Sequence, residues 1–451
     1  MENIIFIAYE FAPYNIAGAF RSMFFVKHLR KFGINPIVVC LSPDSLPEVV
    51  EEYSIDQTML DEIPKDIEVR PLHSSNILDL YTTKIKRFTN MYFELHGGKE
   101  SEHWEPSFSA SIANIVSKSN PKAIYVTVPP FSMLQCAYRA SIKYNLPLII
   151  DSRDHWLGWR TTPFASYLHY YFTKKMEEKY FKHAKAIIGP TPEVIAGMLK
   201  YHPHISPKKF KLIYNGFEGT RTDWELPKSN PSQPKITIGY VGSFYFDPRA
   251  RESMLAPWYK RKPTRLLHYR IYKEDYLYRS PYFFFKAISH LFHSNPTFKE
   301  KIEIKFIGTI PNWLPKMVAE FDLEQNCLLL GQLSKDASWK FQQSCDYLLV
   351  TSSKIIDGRA YTIASKTYEY FKNGKPVIGF VPEGSQKDII LKSGLGIVCD
   401  PDNILESKNQ LLQLFEGKTK LFPNVNFLTS FSREQQANQL ATIIHETIRT
   451  R

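Results

Sequence analysis

Two stretches of this chain begin alike, and that repetition limits the fold more than any other feature. Residues 3–8 form an apolar run that passes through a loop, 13–18, into a helical segment, 21–32, and a second apolar run, 36–41. Strands covered on both faces read as continuous apolar runs, so this order is the strand–helix–strand unit of a parallel sheet. Further runs fall at 123–128, 146–150, 186–188 and 210–213, while 76–118 is less regular and reads as helical. A stretch with Pro227, Asn230, Pro231 and Pro234 then reads as a linker. After it the pattern restarts at 236–241 with a Gly242-Ser243 turn, and strands recur at 302–307, 327–330, 347–350, 376–380 and 396–398. A chain of 451 residues exceeds what one hydrophobic core serves. The expected fold is therefore α/β, with two doubly wound domains at 1–223 and 235–431 and a C-terminal helix at 432–451. Such folds bind ligands at the carboxyl ends of their strands, which puts the expected site in a cleft between the halves.

The bulk chemistry narrows the classes of function. A net charge of +12 attracts anions, whether nucleotide phosphate, lipid headgroup or nucleic acid. The five cysteines are scattered without CxxC spacing, which argues against a zinc site or disulfide framework and for a reducing, cytoplasmic setting. The N-terminus opens on a strand and lacks the basic region of a signal peptide. No apolar run approaches the roughly 20 residues that span a bilayer, so a soluble or peripherally attached protein is expected.

Residues 364–380 carry the sharpest chemical signal. They read as a short helix bearing Lys366 and Glu369, stopped at Asn373-Gly374, then a buried strand from Pro376. Three residues apart, Lys366 and Glu369 share one helical face near the N-terminus. A carboxylate there can accept both hydroxyls of a ribose, and an ammonium with the helix N-terminus can hold phosphate. Taken alone, the pair also describes an ordinary solvated face.

With its flanks, the run resembles the donor-site helix of nucleotide-sugar glycosyltransferases of the GT-B fold, especially relatives of family 4. Ser365, Lys366, Glu369, Gly374, Lys375, Pro376 and Val377 fill that family's small–Lys–x–x–Glu and Gly–basic–Pro–Val places. Residues 213–217 resemble its strand end before the interdomain crossing, and 238–243 its opening donor-domain strand and turn. Residues 150–156 resemble the D-x-R-D-x-W segment of bacterial members that build surface polysaccharides. The resemblance implies a GT-B fold of two Rossmann-like domains, the first on the acceptor side and the second binding the donor. It implies transfer from a UDP- or GDP-linked sugar to a glycan or lipid-linked saccharide, with retention, no metal and no further cofactor. Many relatives carry a second Glu eight residues before the ribose-binding one. Tyr361 stands there in this chain, which leaves the donor sugar open and shifts its contacts toward Asp357, Gly358 and Thr362.

Within that frame the donor site gathers Glu369, Lys366, Ser365, Thr362, Arg279, Gly242 and Ser243. In the first half, Gly18 and Arg21 read either as a phosphate or acceptor loop or as a plain turn with a surface Arg. Asp151 and Arg153 read as a loop brace, while Asp154 is the candidate catalytic base and His155 its rival. Two other functions suit the same residues: a GT-B nucleotide-sugar epimerase or hydrolase, and a catalytically silent sugar-nucleotide-binding subunit of a glycan assembly complex.

Residues 247–279 form an insertion in the second domain that interleaves Lys and Arg with Trp258, Tyr259, Tyr269, Tyr272, Tyr276 and Tyr278. Three readings are open: a cap over the sugars, a contact with the anionic headgroups of a membrane, or a structural flap or dimer contact. Such a mixture also suits single-stranded nucleic acid. Its place inside a cofactor-type fold argues against that partner, and none is expected. Ser280 and Pro281 then read as the N-cap and first residue of a helix.

Overall fold

The computed structural model describes all residues except 46–54, 75–94, 96, 99, 159–162, 220, 222–223, 225–234, 261–265 and 451. The expected linker, most of the expected helical stretch before residue 95, and residues 261–265 of the insertion, with its Arg261, Lys262 and Arg265, thus lie outside the described residues. The chain divides into two compact units. The first comprises Met1–Gly219, Lys262–Ile271 and Ser432–Arg451, the second Thr220–Arg261 and Tyr272–Phe431.

In the first unit, β1 (Glu2–Ile7), β2 (Ile34–Leu41), β3 (Val69–Leu72), β4 (Ala123–Val128), β5 (Leu148–Ser152), β6 (Ala186–Gly189) and β7 (Phe210–Leu212) form one sheet. Their order is β3-β2-β1-β4-β5-β6-β7, and every neighbouring pair is parallel. The central strands are covered on both faces, which is why they read as unbroken apolar runs: every residue of β4 and β5 is buried. The stretch reading as irregular helix resolves, in its described part, into Glu100–Ser119, with Pro106 inside it. The terminal helix Arg433–Arg449 is capped by Ser432, whose hydroxyl accepts from Gln435 N at 3.3 Å. It belongs to this unit, where His445 Nδ1 meets Glu2 Oε2 at 2.9 Å.

In the second unit the strands are β8 (Ile236–Val241), β9 (Glu274–Asp275), β10 (Ile302–Ile307), β11 (Cys327–Leu329), β12 (Tyr347–Thr351), β13 (Lys354–Ile355), β14 (Val377–Phe380) and β15 (Gly396–Cys399). Six of them form a parallel sheet in the order β11-β10-β8-β12-β14-β15, while β9 and β13 pair antiparallel as a separate ribbon. Its core is rich in aromatics, with Tyr240, Phe244, Phe284, Phe285, Phe306 and Phe380 buried together. The helix after the insertion starts one residue later than expected, at Tyr282, with Ser280 Oγ accepting from Tyr282 N at 3.2 Å. All five cysteines are buried and unpaired, and burial pushes the thiols of Cys40, Cys327 and Cys345 up to about 12. Among the described residues, no helix is long and apolar enough to cross a membrane.

Candidate functional site

In the second sheet the winding direction reverses between β8 and β12, so a crevice opens at the carboxyl ends of those strands. β8 runs into Gly242 at φ +99°, a backbone state in which a side chain is strained. Gly308, at the end of β10, packs directly on it: a Cβ there would lie 2.4 Å from the Gly242 carbonyl oxygen. Two aromatic hydroxyls hold the turn. Tyr240 donates to the Ser243 carbonyl at 3.0 Å, and Tyr370 accepts from the Val241 N–H at 3.1 Å. Tyr370 lies on the helix Ser365–Asn373, so this helix is tied to the end of β8.

That tie brings Lys366 to the turn. Its ammonium stands 3.7 Å from the centroid of the Tyr240 ring, and a Cβ on Gly242 would sit 3.4 Å from Nζ. The side chain as a whole is half-buried, but its charged end is enclosed between ring and turn. Burial pushes the Lys366 pKa down to about 7, with the Glu369 carboxylate pulling the other way. The ring face offers a cation partial compensation. Glu369 and Ser365 are exposed, and Thr362 is half-buried in the preceding loop. The start of the helix is fixed from behind by the buried Gln386, whose Oε1 accepts from Ala364 N at 2.8 Å and whose Nε2 donates to Thr367 Oγ1 at 3.1 Å. Gly374, at φ +66°, closes the helix as its sequence position implied. Tyr361 is buried.

Arg279 stands at the β12 side of the same crevice. Its carbonyl accepts from Thr351 Oγ1 at 3.0 Å, its Nη2 lies 3.1 Å from Glu274 Oε1, and its charge acts on Tyr240. Part of that charge is therefore spent on a buried carboxylate. Within the described part of the insertion, Arg251 forks onto Asp275 at 2.5 and 2.9 Å. Its segment Lys262–Ile271 belongs to the first unit. There Phe164 and Tyr269 exchange backbone hydrogen bonds of 3.0 and 2.9 Å.

The first unit treats its expected residues differently. Arg21 does not present its guanidinium to solvent. It is buried, forked onto Asp151 at 2.9 and 3.0 Å, and also donates to the Ile213 and Tyr214 carbonyls. Asp151 accepts further from Tyr125 at 2.7 Å. A phosphate role for Arg21 gives way to a brace, because every direction of its fork is taken up inside the fold. Gly18 makes room for a neighbour: a Cβ there would fall 1.3 Å from Arg153 Nη1, and Arg153 pairs with Glu10 at 2.9 Å. Arg153 is thus a brace too, with Glu10 rather than Asp151 as its carboxylate. Asp154 is half-buried in the loop after β5, where its carbonyl accepts from Ser152 Oγ at 2.7 Å. His155 is 2% exposed, packed against Tyr201, Gly158 and Gly197, and burial pushes its pKa down to about 4. Its ring is thus closed off from solvent.

Sequence reasoning missed Tyr240, Tyr370, Gln386 and Glu10. Tyr370 sits four residues after Lys366 on the same helical face, a spacing that could have flagged it. Tyr240 and Gln386 come to the helix, and Glu10 to Arg153, only through folding.

Residues 280–424 match the family model for glycosyl transferases group 1, a span that holds Lys366, Glu369 and the whole helix between them. No curated protein matches the sequence. Among solved structures, the chain is similar to the lipopolysaccharide outer core galactosyltransferase WaaB in its apo form. The TM-score is 0.58 and the identity 15%, over 98% of this chain and 99% of that one. It is similar to HepE of Anabaena in complex with UDP, with a TM-score of 0.53 and 13% identity over 100% and 99% of the two chains. For sucrose-phosphate synthase of Thermosynechococcus elongatus the values are 0.52 and 12%, over 99% and 97%. At these identities the likeness shows the fold, which is GT-B. The matched span identifies a glycosyltransferase.

Proposed function

We propose that this glycosyltransferase moves a sugar from a nucleoside-diphosphate donor, UDP- or GDP-linked, to a glycan or lipid-linked saccharide, with retention and with protein cations at the diphosphate. The observation that carries the reading is the Lys366 ammonium, held over Tyr240 against the Gly242 turn at the switch point of the second sheet. As the bond from the anomeric carbon to the diphosphate breaks, negative charge gathers on the departing phosphate. An enclosed, already placed ammonium stabilises that charge more than a solvated one. Arg279 and the start of the helix Ser365–Asn373 supply further positive character, a role that a divalent cation would otherwise fill. Glu369 accepts the ribose hydroxyls, Ser243 and Ser365 offer hydroxyls to phosphate oxygens, and Thr362 contacts the sugar. Asp154 takes the acceptor proton, and the buried His155 is set aside.

Retention rests on the resemblance of the donor helix to retaining relatives. The D-x-R-D-x-W segment favours an acceptor used in bacterial surface polysaccharide, on the cytoplasmic side. A UDP-linked donor is favoured by the structural neighbour that holds UDP. The test follows release of nucleoside diphosphate from UDP- and GDP-sugars with glycan and lipid-linked acceptors. Release should require acceptor, persist in EDTA and vanish in Glu369→Ala. Equal release without acceptor would make the protein a hydrolase, and binding without release a silent subunit.

A further inference from the structure

The helix Tyr167–His183 of the first unit presents two different faces to its surroundings. His169, Tyr170, Thr173, Glu177, Tyr180 and Phe181 are buried, and they fall on one side at 3.6 residues per turn. On the opposite arc lie Tyr167, Leu168, Tyr171 and Phe172, all exposed, followed along the same arc by Lys175, Lys179 and Lys182. The face is apolar and aromatic over its first turns and basic over its last. The insertion adds to the apolar end. Its Tyr269 pairs with Phe164 through backbone bonds in both directions and packs edge-on to Tyr167 and tilted against Tyr170, with centroids 5.2 and 4.9 Å away. Two and three residues before Tyr269, Leu267 and Leu266 are also exposed. The exposure of these six side chains runs from 44% at Tyr171 to 77% at Leu267.

Large apolar side chains that gather on one surface mark an interaction site. We infer that this face docks the protein on the surface of an anionic bilayer, with Tyr167, Leu168, Tyr171, Phe172, Leu266 and Leu267 entering the headgroup boundary and Lys175, Lys179 and Lys182 lying over the phosphates. Charge selects this occupant. A second copy of the chain, docked through the same face, would bring two net-positive patches together, whereas anionic headgroups complement them. Glu178 lies among these lysines, 2.6 Å from Lys182 and 3.6 Å from Lys175, and leaves the face net positive. Aromatic rings with polar tips beside leucines and lysines are what an in-plane interfacial helix requires. The inference does not rest on glycosyl transfer, since it concerns a different face of the first unit and its test reads no turnover.

The full chain is sedimented with vesicles of phosphatidylcholine alone and of phosphatidylcholine mixed with phosphatidylglycerol. Wild type should pellet with the anionic vesicles only, and less so as salt is raised. Phe172→Ser/Leu267→Ser alters two exposed positions, so its melting temperature should be unchanged while its affinity falls about tenfold or more. Lys175→Glu/Lys179→Glu should abolish the preference for anionic lipid. Wild type left in the supernatant, or a serine variant that pellets like wild type, overturns the inference. So does light scattering that shows a wild-type dimer made monomeric by the serine variant, with no gain from vesicles.

Discussion

Lys366 makes the binding of donor depend on pH in a direction that can be worked out beforehand. In the free protein, burial holds its pKa at about 7, against an ordinary value of 10.5. About nine-tenths of molecules then carry the charge at pH 6 and about one-tenth at pH 8. A diphosphate beside the ammonium restores the higher pKa, so binding at pH 8 takes up close to one proton and binding at pH 6 almost none. Affinity for a nucleotide sugar should therefore fall about tenfold from pH 6 to pH 8. Calorimetric titration in two buffers of different ionisation enthalpy measures both the affinity and the proton count. The ligand must be the nucleotide sugar, because a terminal phosphate titrates near pH 6 and would mask the effect. Lys366→Met removes the slope along with most of the affinity. The same variant carries a stability signature. Because the folded pKa lies below the unfolded one, wild type bears a folding cost that is full below pH 7 and is relieved as pH rises toward 10.5. Met should thus raise the melting temperature of the free protein, more at pH 6 than at pH 10. Constant affinity between pH 6 and pH 8, or an equal slope in the Met variant, would refute the reasoning.

Two other substitutions separate bracing from binding. Arg21→Met leaves the Asp151 carboxylate buried without its fork and should cost about 3–5 kcal/mol in urea unfolding, while nucleotide-sugar affinity per folded molecule stays at the wild-type value. Gly242→Ala forces a side chain into φ +99° and against Lys366, so chemical denaturation should show a loss of about 1–2 kcal/mol. Unlike Arg21→Met, it should also weaken the nucleotide sugar in the same calorimetric assay.

The architecture was legible in the sequence where burial on both faces leaves a continuous apolar run. Thus β4, β8 and β10 stand where their runs stand. β3 was not legible, because it is an edge strand with Pro71 and only partial burial, and shows no run. The β9–β13 ribbon is two residues to a strand and carries Glu274, Asp275 and Lys354, none of which reads as strand. At the candidate site, the positions of Lys366, Glu369 and Gly374 followed from local helix rules. What encloses Lys366 did not, since Tyr240 lies on another strand far back in the chain. Arg21 shows the same limit: whether an Arg faces water or a buried carboxylate depends on Asp151 and on the carbonyls after β7, which only the folded sheet brings beside it.

The central claim is that the helix Ser365–Asn373 holds the ribose and diphosphate of a nucleotide sugar. It is tested most directly by the thermal shift of wild type and Glu369→Ala with UDP, GDP, CDP and ADP and their sugars. Glu369 is exposed, so the variant should still fold and melt cooperatively, and each ligand shift is read against its own unliganded melting temperature. One nucleotide should stabilise wild type selectively, and the loss of two charge-assisted hydrogen bonds, about 3 kcal/mol or roughly a hundredfold in Kd, should erase that shift in the variant. A flat panel for wild type, or equal shifts in both proteins, would contradict the claim.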